Sequence, residues 1–182
     1  MNNKLLKSFR SIYQDKKNIQ SFSVYYQALS NWVKNNQKTL GRELIYKYGL
    51  DILISLDLNS YLIDPKKNEL YLEQEEKRIG NINFSKVDGL LMVIRDTLWD
   101  MVTIRSDSEC CNCKYGDMRY IKINYQDGDG KIVLECNVCG QAVNIDGSRL
   151  EEKIVNYLPA TKTEVEDGKW WIESVKRRIV CI

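Results

Sequence analysis

Five of the six cysteines in the chain fall between Ser108 and Val143, in the stretch SECCNCKYGDMRYIKINYQDGDGKIVLECNVCGQAV. Cys110-x-x-Cys113 and Cys136-x-x-Cys139 form two pairs separated by the stretch Lys114–Glu135. Each Cys-x-x-Cys turn sets two sulfurs on one side of the backbone. Two such turns together supply the four thiolates of a tetrahedral Zn²⁺ shell, with bonds of about 2.3 Å. However the rest of the chain folds, these two turns have to meet.

The residues between the turns predict how they meet. RYIKINY alternates apolar and polar positions, QDGDG offers a hairpin turn, and KIVLE returns to the second pair. QAVNI adds a third strand. Gly140, directly after Cys139, supplies the permissive backbone that a knuckle of this kind needs, and Gly116 does similar service after Cys113. Two knuckles on a small hairpin sheet resemble a zinc ribbon over residues Glu109 to Ile145. Zn²⁺ fits this setting better than a rubredoxin-like iron. Cys111 leaves one alternative open, since a Cys-x-Cys pair with Cys113 competes for the ligand role. The spacing mirrored in the second pair favours Cys110, which leaves Cys111 and Cys181 as buried or inert thiols. Asp127 and Asp129 do not make a calcium loop, because Lys131 stands where a further ligand belongs.

Four cysteines close the metal shell, whereas a catalytic zinc keeps a position open for water. A ribbon of about 40 residues buries too little to fold alone, and structural zinc contributes about 10–16 kcal/mol in small peptides. The cluster therefore reads as a clamp. No apolar run approaches the length of a membrane span, and the N-terminal MNNKLLKSFRSIYQDKK lacks a secretory apolar region. The expected compartment is the cytoplasm, where clustered thiols hold metal more often than they form disulfides.

Around the clamp the periodicity predicts an α+β fold. Its parts are a helical N-terminal region, short antiparallel strands and the zinc-ribbon hairpin. Leu5, Leu6, Phe9, Ile12 and Tyr13, then Phe22, Tyr25, Tyr26, Leu29, Trp32 and Val33, recur at helical spacing, and the pattern runs on to Gly49. Leu50, Ile52, Ile54, Leu56 and Leu58 alternate as in a strand, with a helix through 50–56 as the alternative. SYLIDPKKNELYLE reads as two short strands around Asp64–Pro65. Ser85 and Asp88 resemble a capping box ahead of a helix through Val87, Leu90, Leu91, Ile94, Leu98, Met101 and Val102. RLEEKIVNYL ends before Pro159, Thr161 to Glu164 fits a second capping box, and residues 169–182 fit a helix or an edge strand. The expected division is a mainly helical α+β region at 1–107, the ribbon at 108–147, and a segment at 148–182 that packs back on the core.

The chain has no histidine, which excludes imidazole bases, histidine ligands and Ser–His or Cys–His nucleophiles together. GDGK at 128–131 lacks the first glycine and the Ser or Thr of a phosphate loop, and no catalytic residue is assigned. Function then lies in a surface. Residues 1–50 carry a net charge of +7 and residues 51–100 carry −4. The basic part offers Lys4, Lys7, Arg10, Lys16 and Lys17 to phosphates, as in a nucleic-acid-binding or transcription-associated regulatory protein. The acidic part sets Asp57, Asp64, Glu69, Glu73, Glu75 and Glu76 beside Tyr61 and Tyr71. Carboxylates for steering beside aromatics for anchoring suit a protein that occupies the basic cleft of a nuclease.

A helical front, a zinc ribbon and a following NYLPATKTEV (Asn156–Val165) resemble standalone immunity proteins of bacterial toxin–immunity systems, including those of contact-dependent inhibition. The resemblance covers the part of the chain from the ribbon to the C-terminus. It implies a cytoplasmic, non-catalytic inhibitor that binds one cognate toxin domain, with the ribbon cysteines as its only transferable site.

Overall fold

The computed structural model describes residues 3–15, 21–61, 86–125, 128–151 and 154–167. The chain divides into two compact units, one made of residues 1–58 and 63–101, the other of 59–62 and 102–182. Helices make up the first unit and an antiparallel sheet the second, so the fold is α+β.

In the first unit, α1 (Asn3–Gln14) and α2 (Phe22–Asn35) carry their apolar residues at spacings of three and four. Those positions become the core: Phe9, Tyr25, Leu29 and Val33 are fully buried. Rings meet edge to face across the pair, with Phe9 and Trp32 centroids 5.2 Å apart and Tyr13 and Tyr25 5.6 Å apart. Their polar atoms are paired as well. Tyr25 Oη donates to Tyr13 Oη at 2.6 Å, and Trp32 Nε1 to Ser8 Oγ at 3.0 Å. Ser21 caps α2 by accepting from Val24 N.

The short helices α3 (Gln37–Leu40), α4 (Arg42–Lys47) and α5 (Leu50–Leu53) follow. Gly49 sits between the last two at φ +61, a left-handed position that glycine fills without strain. The strand reading of Leu50–Leu58 does not hold; α5 and a 3₁₀ turn at Leu58–Ser60 occupy it. The alternating leucines and isoleucines also contain a helical set, and Leu50, Leu53 and Ile54 are the residues actually buried. Helix α6 (Val87–Val102) forms as expected. Asp88 at its start accepts from Lys47 Nζ and Tyr48 Oη, both at 3.0 Å, which holds its carboxyl below the ordinary value. Ser85, its expected capping partner, and the strands expected around Asp64–Pro65 lie outside the described residues, as do residues 169–182.

Among the described residues the second unit is a five-stranded antiparallel sheet. Its strands are β1 (Arg105–Glu109), β2 (Asp117–Tyr125), β3 (Gly128–Cys136), β4 (Ala142–Asn144) and β5 (Ile154–Pro159). The order is β1-β2-β3-β4, with β5 also paired to β2. Met118 faces Cys136 and Tyr120 faces Leu134 in register, which places these four on one side of the hairpin. Ile121 and Val133, opposite each other on the other side, are fully buried too. Arg119 and Glu135 are directly opposed and paired at 2.7 Å with little exposure. Pro159 is the last residue of β5, where a missing N–H costs the ladder least.

A helical turn over 162–167 covers the Met118–Tyr120 face with Ala160 and Val165. It starts with the capping box expected at Thr161. Thr161 N and Oγ1 both donate to Glu164 Oε2 at 2.9 Å, and Glu164 N returns a bond to Thr161 Oγ1. Lys122 Nζ donates to the other Glu164 oxygen at 2.6 Å. Burial pushes the Glu164 carboxyl up, but the bonds from Lys122 and Thr161 outweigh it and hold it below its ordinary value. A carboxyl lowered on folding stabilises above its unfolded pKa, about 4.3, and loses that contribution as pH falls through the folded value. Glu164→Gln is therefore expected to cost the sheet unit about 1 kcal/mol at pH 7 and almost nothing at pH 3. Denaturant melts of both proteins at the two pH values check this, and an undiminished gap at pH 3 would contradict it.

Candidate metal centre

The two knuckles share one backbone pattern. At the first, Cys110 N donates to Gly116 O at 3.0 Å and Lys114 N to Cys110 O at 2.9 Å. At the second, Cys136 N donates to Gln141 O at 2.9 Å and Gly140 N to Cys136 O at 3.0 Å. In both, the residue just after the second cysteine is left-handed: Lys114 at φ +57 and Gly140 at φ +71. The sequence points to Gly140 and conceals Lys114, a residue type that is strained in this conformation. Gly116 serves a different purpose from the one its composition suggests. Its φ is not left-handed, and a Cβ there would lie 2.4 Å from Cys136 Sγ. It is a glycine because the ligand sulfur passes directly over it.

This pairing of turns brings Cys110, Cys113, Cys136 and Cys139 together, every sulfur within 4.8 Å of the others. Cys110 Sγ lies 3.6 Å from Cys139 Sγ, and Cys113 Sγ lies 3.6 Å from Cys136 Sγ. A tetrahedron of 2.3 Å metal–sulfur bonds has edges of about 3.8 Å, so the four sulfurs fit a metal ion with little movement. All four are free thiols. The geometry also decides between neighbours, since Cys110 belongs to this group and Cys111 does not.

The environment of the sulfurs is graded. Cys110 and Cys136 are buried at 2% and 1% exposure, Cys113 is intermediate and Cys139 exposed. Burial pushes the Cys136 thiol up to about 11. The backbone N–H of Gln141, and then the Asn112 side chain 3.6 Å away, bring Cys139 down to about 6. The backbone N–H of Tyr115 lowers Cys113. Val138 N and Cys139 N both point at Cys136 Sγ from 3.4 Å. These N–H groups favour thiolate, the form a metal needs, and binding expels whatever protons remain.

Around the centre, Cys110 and Cys136 pack with Met118, Tyr120, Leu134, Ala160 and Val165 in one apolar cluster. One side of the cysteine cluster, Cys110 and Cys136, thus belongs to the core of its unit, and Cys139 faces outward. The tips of both knuckles point outward: Tyr115 is 91% exposed and Val138 63%. Sequence reasoning missed both, because a lone Tyr and a lone Val inside a cysteine motif carry no periodic signal.

The chain matches no protein-family model, no curated protein and no solved structure. No helix among the described residues is long and apolar enough to cross a membrane.

The surface residues fall less completely within view. Asp57 is exposed, whereas Tyr61 is buried at 9% and does not offer its ring to a partner. Asp64, Glu69, Tyr71, Glu73, Glu75 and Glu76 lie outside the described residues, as do Lys16 and Lys17. On α1, Lys4, Lys7 and Arg10 are exposed while Leu5, Phe9, Ile12 and Tyr13 face the core.

Proposed function

We propose that the protein is a non-catalytic cytoplasmic immunity protein that binds and neutralises a cognate toxin domain, a nuclease being the first candidate. A structural Zn²⁺ ion bound by Cys110, Cys113, Cys136 and Cys139 holds its binding surface in shape. A shell of four thiolates leaves no position for a reacting water, which suits a metal used for architecture. When bound, the ion supplies cross-linking between the two knuckles, and the chain's own residues do the recognition.

The observation that carries the protein-binding part is the contrast on the ribbon surface. Three basic side chains of its sheet are engaged with acids of the same unit: Arg105 with Asp117 and Arg119 with Glu135, both at 2.7 Å, and Lys122 with Glu164 at 2.6 Å. Pairing leaves these three little charge to offer phosphates. Its knuckle tips instead present Tyr115 and Val138, an aromatic and an aliphatic side chain of the kind that anchor protein interfaces. The layout resemblance to bacterial immunity proteins supplies the partner class.

The second reading, a zinc-ribbon nucleic-acid-binding regulator, draws on the exposed Lys4, Lys7 and Arg10 of α1. One experiment separates the two. The protein is co-expressed with the product of the neighbouring reading frame and tested for a complex and for rescued growth. Tyr115→Ala with Val138→Asp is expected to weaken that complex at least 30-fold, the size of a hot-spot loss of about 2 kcal/mol, at unchanged metal content. No complex and no rescue, together with salt-dependent binding of DNA or RNA, would replace the inhibitor reading with the second.

A further inference from the structure

Beside the metal centre, within the sheet unit, lies a cavity of about 460 Å³, a size that takes a small ligand. The register of the sheet builds it. Leu134 pairs with Val143, and Val143 with Arg149 in an isolated bridge, so these three side chains stand in one row on the same face. Met118 and Leu134 are buried at 4% and 3% exposure, while Val143 and Ile145 are half-buried, and together the four make an apolar floor.

Two opposite charges stand at its mouth. Glu109, at the end of β1, and Arg149 both line the cavity and are both exposed. Neither side chain makes an ion pair or hydrogen bond with another described residue, whereas Arg105, Arg119 and Lys122 of the same unit are all paired with acids. An acid and a base that share a cavity without meeting leave room for a ligand between them. Cys111, also in the lining, is exposed and disulfide-bonded, which corrects its reading as a buried or inert thiol.

We propose that this cavity binds a small zwitterion with a large apolar side chain, an apolar α-amino acid. The Arg149 guanidinium takes its carboxylate, a pairing whose geometry allows two parallel hydrogen bonds. The Glu109 carboxylate takes its ammonium group, and its side chain lies on Met118, Leu134, Val143 and Ile145. An apolar acid without the ammonium would leave Glu109 facing a like charge, and an apolar amine without the carboxylate would do the same to Arg149. Only a ligand with both charges satisfies the two ends and the floor together. Tyr115 and Val138, the knuckle tips offered to a protein partner, do not line the cavity, so this site and the inhibitor reading stand or fall separately.

The test titrates the full-length, metal-loaded chain with L-phenylalanine and L-leucine, followed by heteronuclear NMR. Saturable shifts are expected, clustered at Val143–Arg149. On the same protein, 3-phenylpropionate and phenethylamine, each lacking one charge of phenylalanine, are expected to bind about tenfold more weakly, the loss of one charge-assisted hydrogen bond. Arg149→Gln and Glu109→Gln should each weaken L-phenylalanine by about the same factor at unchanged metal content. Arg149→Gln should not weaken phenethylamine, and Glu109→Gln should not weaken 3-phenylpropionate. The two analogues are read on the unaltered chain and decide the matter even if a variant folds poorly. No saturable shift with either amino acid up to about 10 mM would overturn the proposal. So would an analogue that binds as tightly as phenylalanine, or variants that bind phenylalanine as well as the unaltered chain does.

Discussion

Cys136→Ser is expected to strip the chain of its metal and unfold the sheet unit. Cys136 is the most buried of the four sulfurs, receives two backbone N–H groups, and packs with Met118, Tyr120 and Leu134. A serine hydroxyl is a poor metal ligand, and it leaves those N–H groups facing a smaller, neutral atom. Structural zinc in small domains is worth about 10–16 kcal/mol, as much as or more than the whole stability of an ordinary domain, about 5–15 kcal/mol. The ribbon strands should lose their cooperative transition, which circular dichroism and metal analysis would report together. Full metal content with an unchanged melting curve would contradict the assignment of Cys136.

Gly116→Ala should come close to the same outcome without touching a ligand. The added Cβ would sit 2.4 Å from Cys136 Sγ, 2.9 Å from Asn137 Oδ1 and 3.0 Å from Val138 Cβ. None of these is the loose end of a long side chain, so the second knuckle has to shift away from the first. A displacement of a few tenths of an ångström breaks the fit of the four sulfurs to bonds of about 2.3 Å. Metal affinity measured by competition with a chromophoric chelator is expected to fall at least 100-fold. Gly140→Ala strains a left-handed residue but meets no atom within 4 Å, so its loss should be smaller, about 1 kcal/mol. The reverse order of the two effects would show that backbone conformation, and not the passage of the sulfur, governs position 116.

The metal centre is legible in the sequence because its signal is local. Two Cys-x-x-Cys pairs, a hairpin between them and a glycine behind the second pair all lie between Cys110 and Gly140, and each follows from the chemistry of its own turn. The capping box of Thr161 and Glu164 is legible for the same reason. What escapes is set by tertiary contact. Leu50–Leu58 alternates like a strand, yet its burial follows the neighbouring helices and selects Leu50, Leu53 and Ile54. Asp88 accepts from Lys47 and Tyr48, at the end of another helix, and no spacing in the chain announces those bonds. Gly116 carries no sign in the sequence that the sulfur of Cys136, on the other knuckle, will pass over it. Tyr61 looks like a surface anchor because acids flank it, and the fold buries it.

Four thiolates closing one structural metal shell in the sheet unit is the central claim. X-ray absorption at the metal edge of the purified full-length protein tests it most directly. The predicted result is one zinc ion per chain with four sulfur neighbours at about 2.3 Å and no nitrogen or oxygen in the shell. Three sulfurs and one light atom would contradict the account, because an open position would turn the clamp into a reactive site.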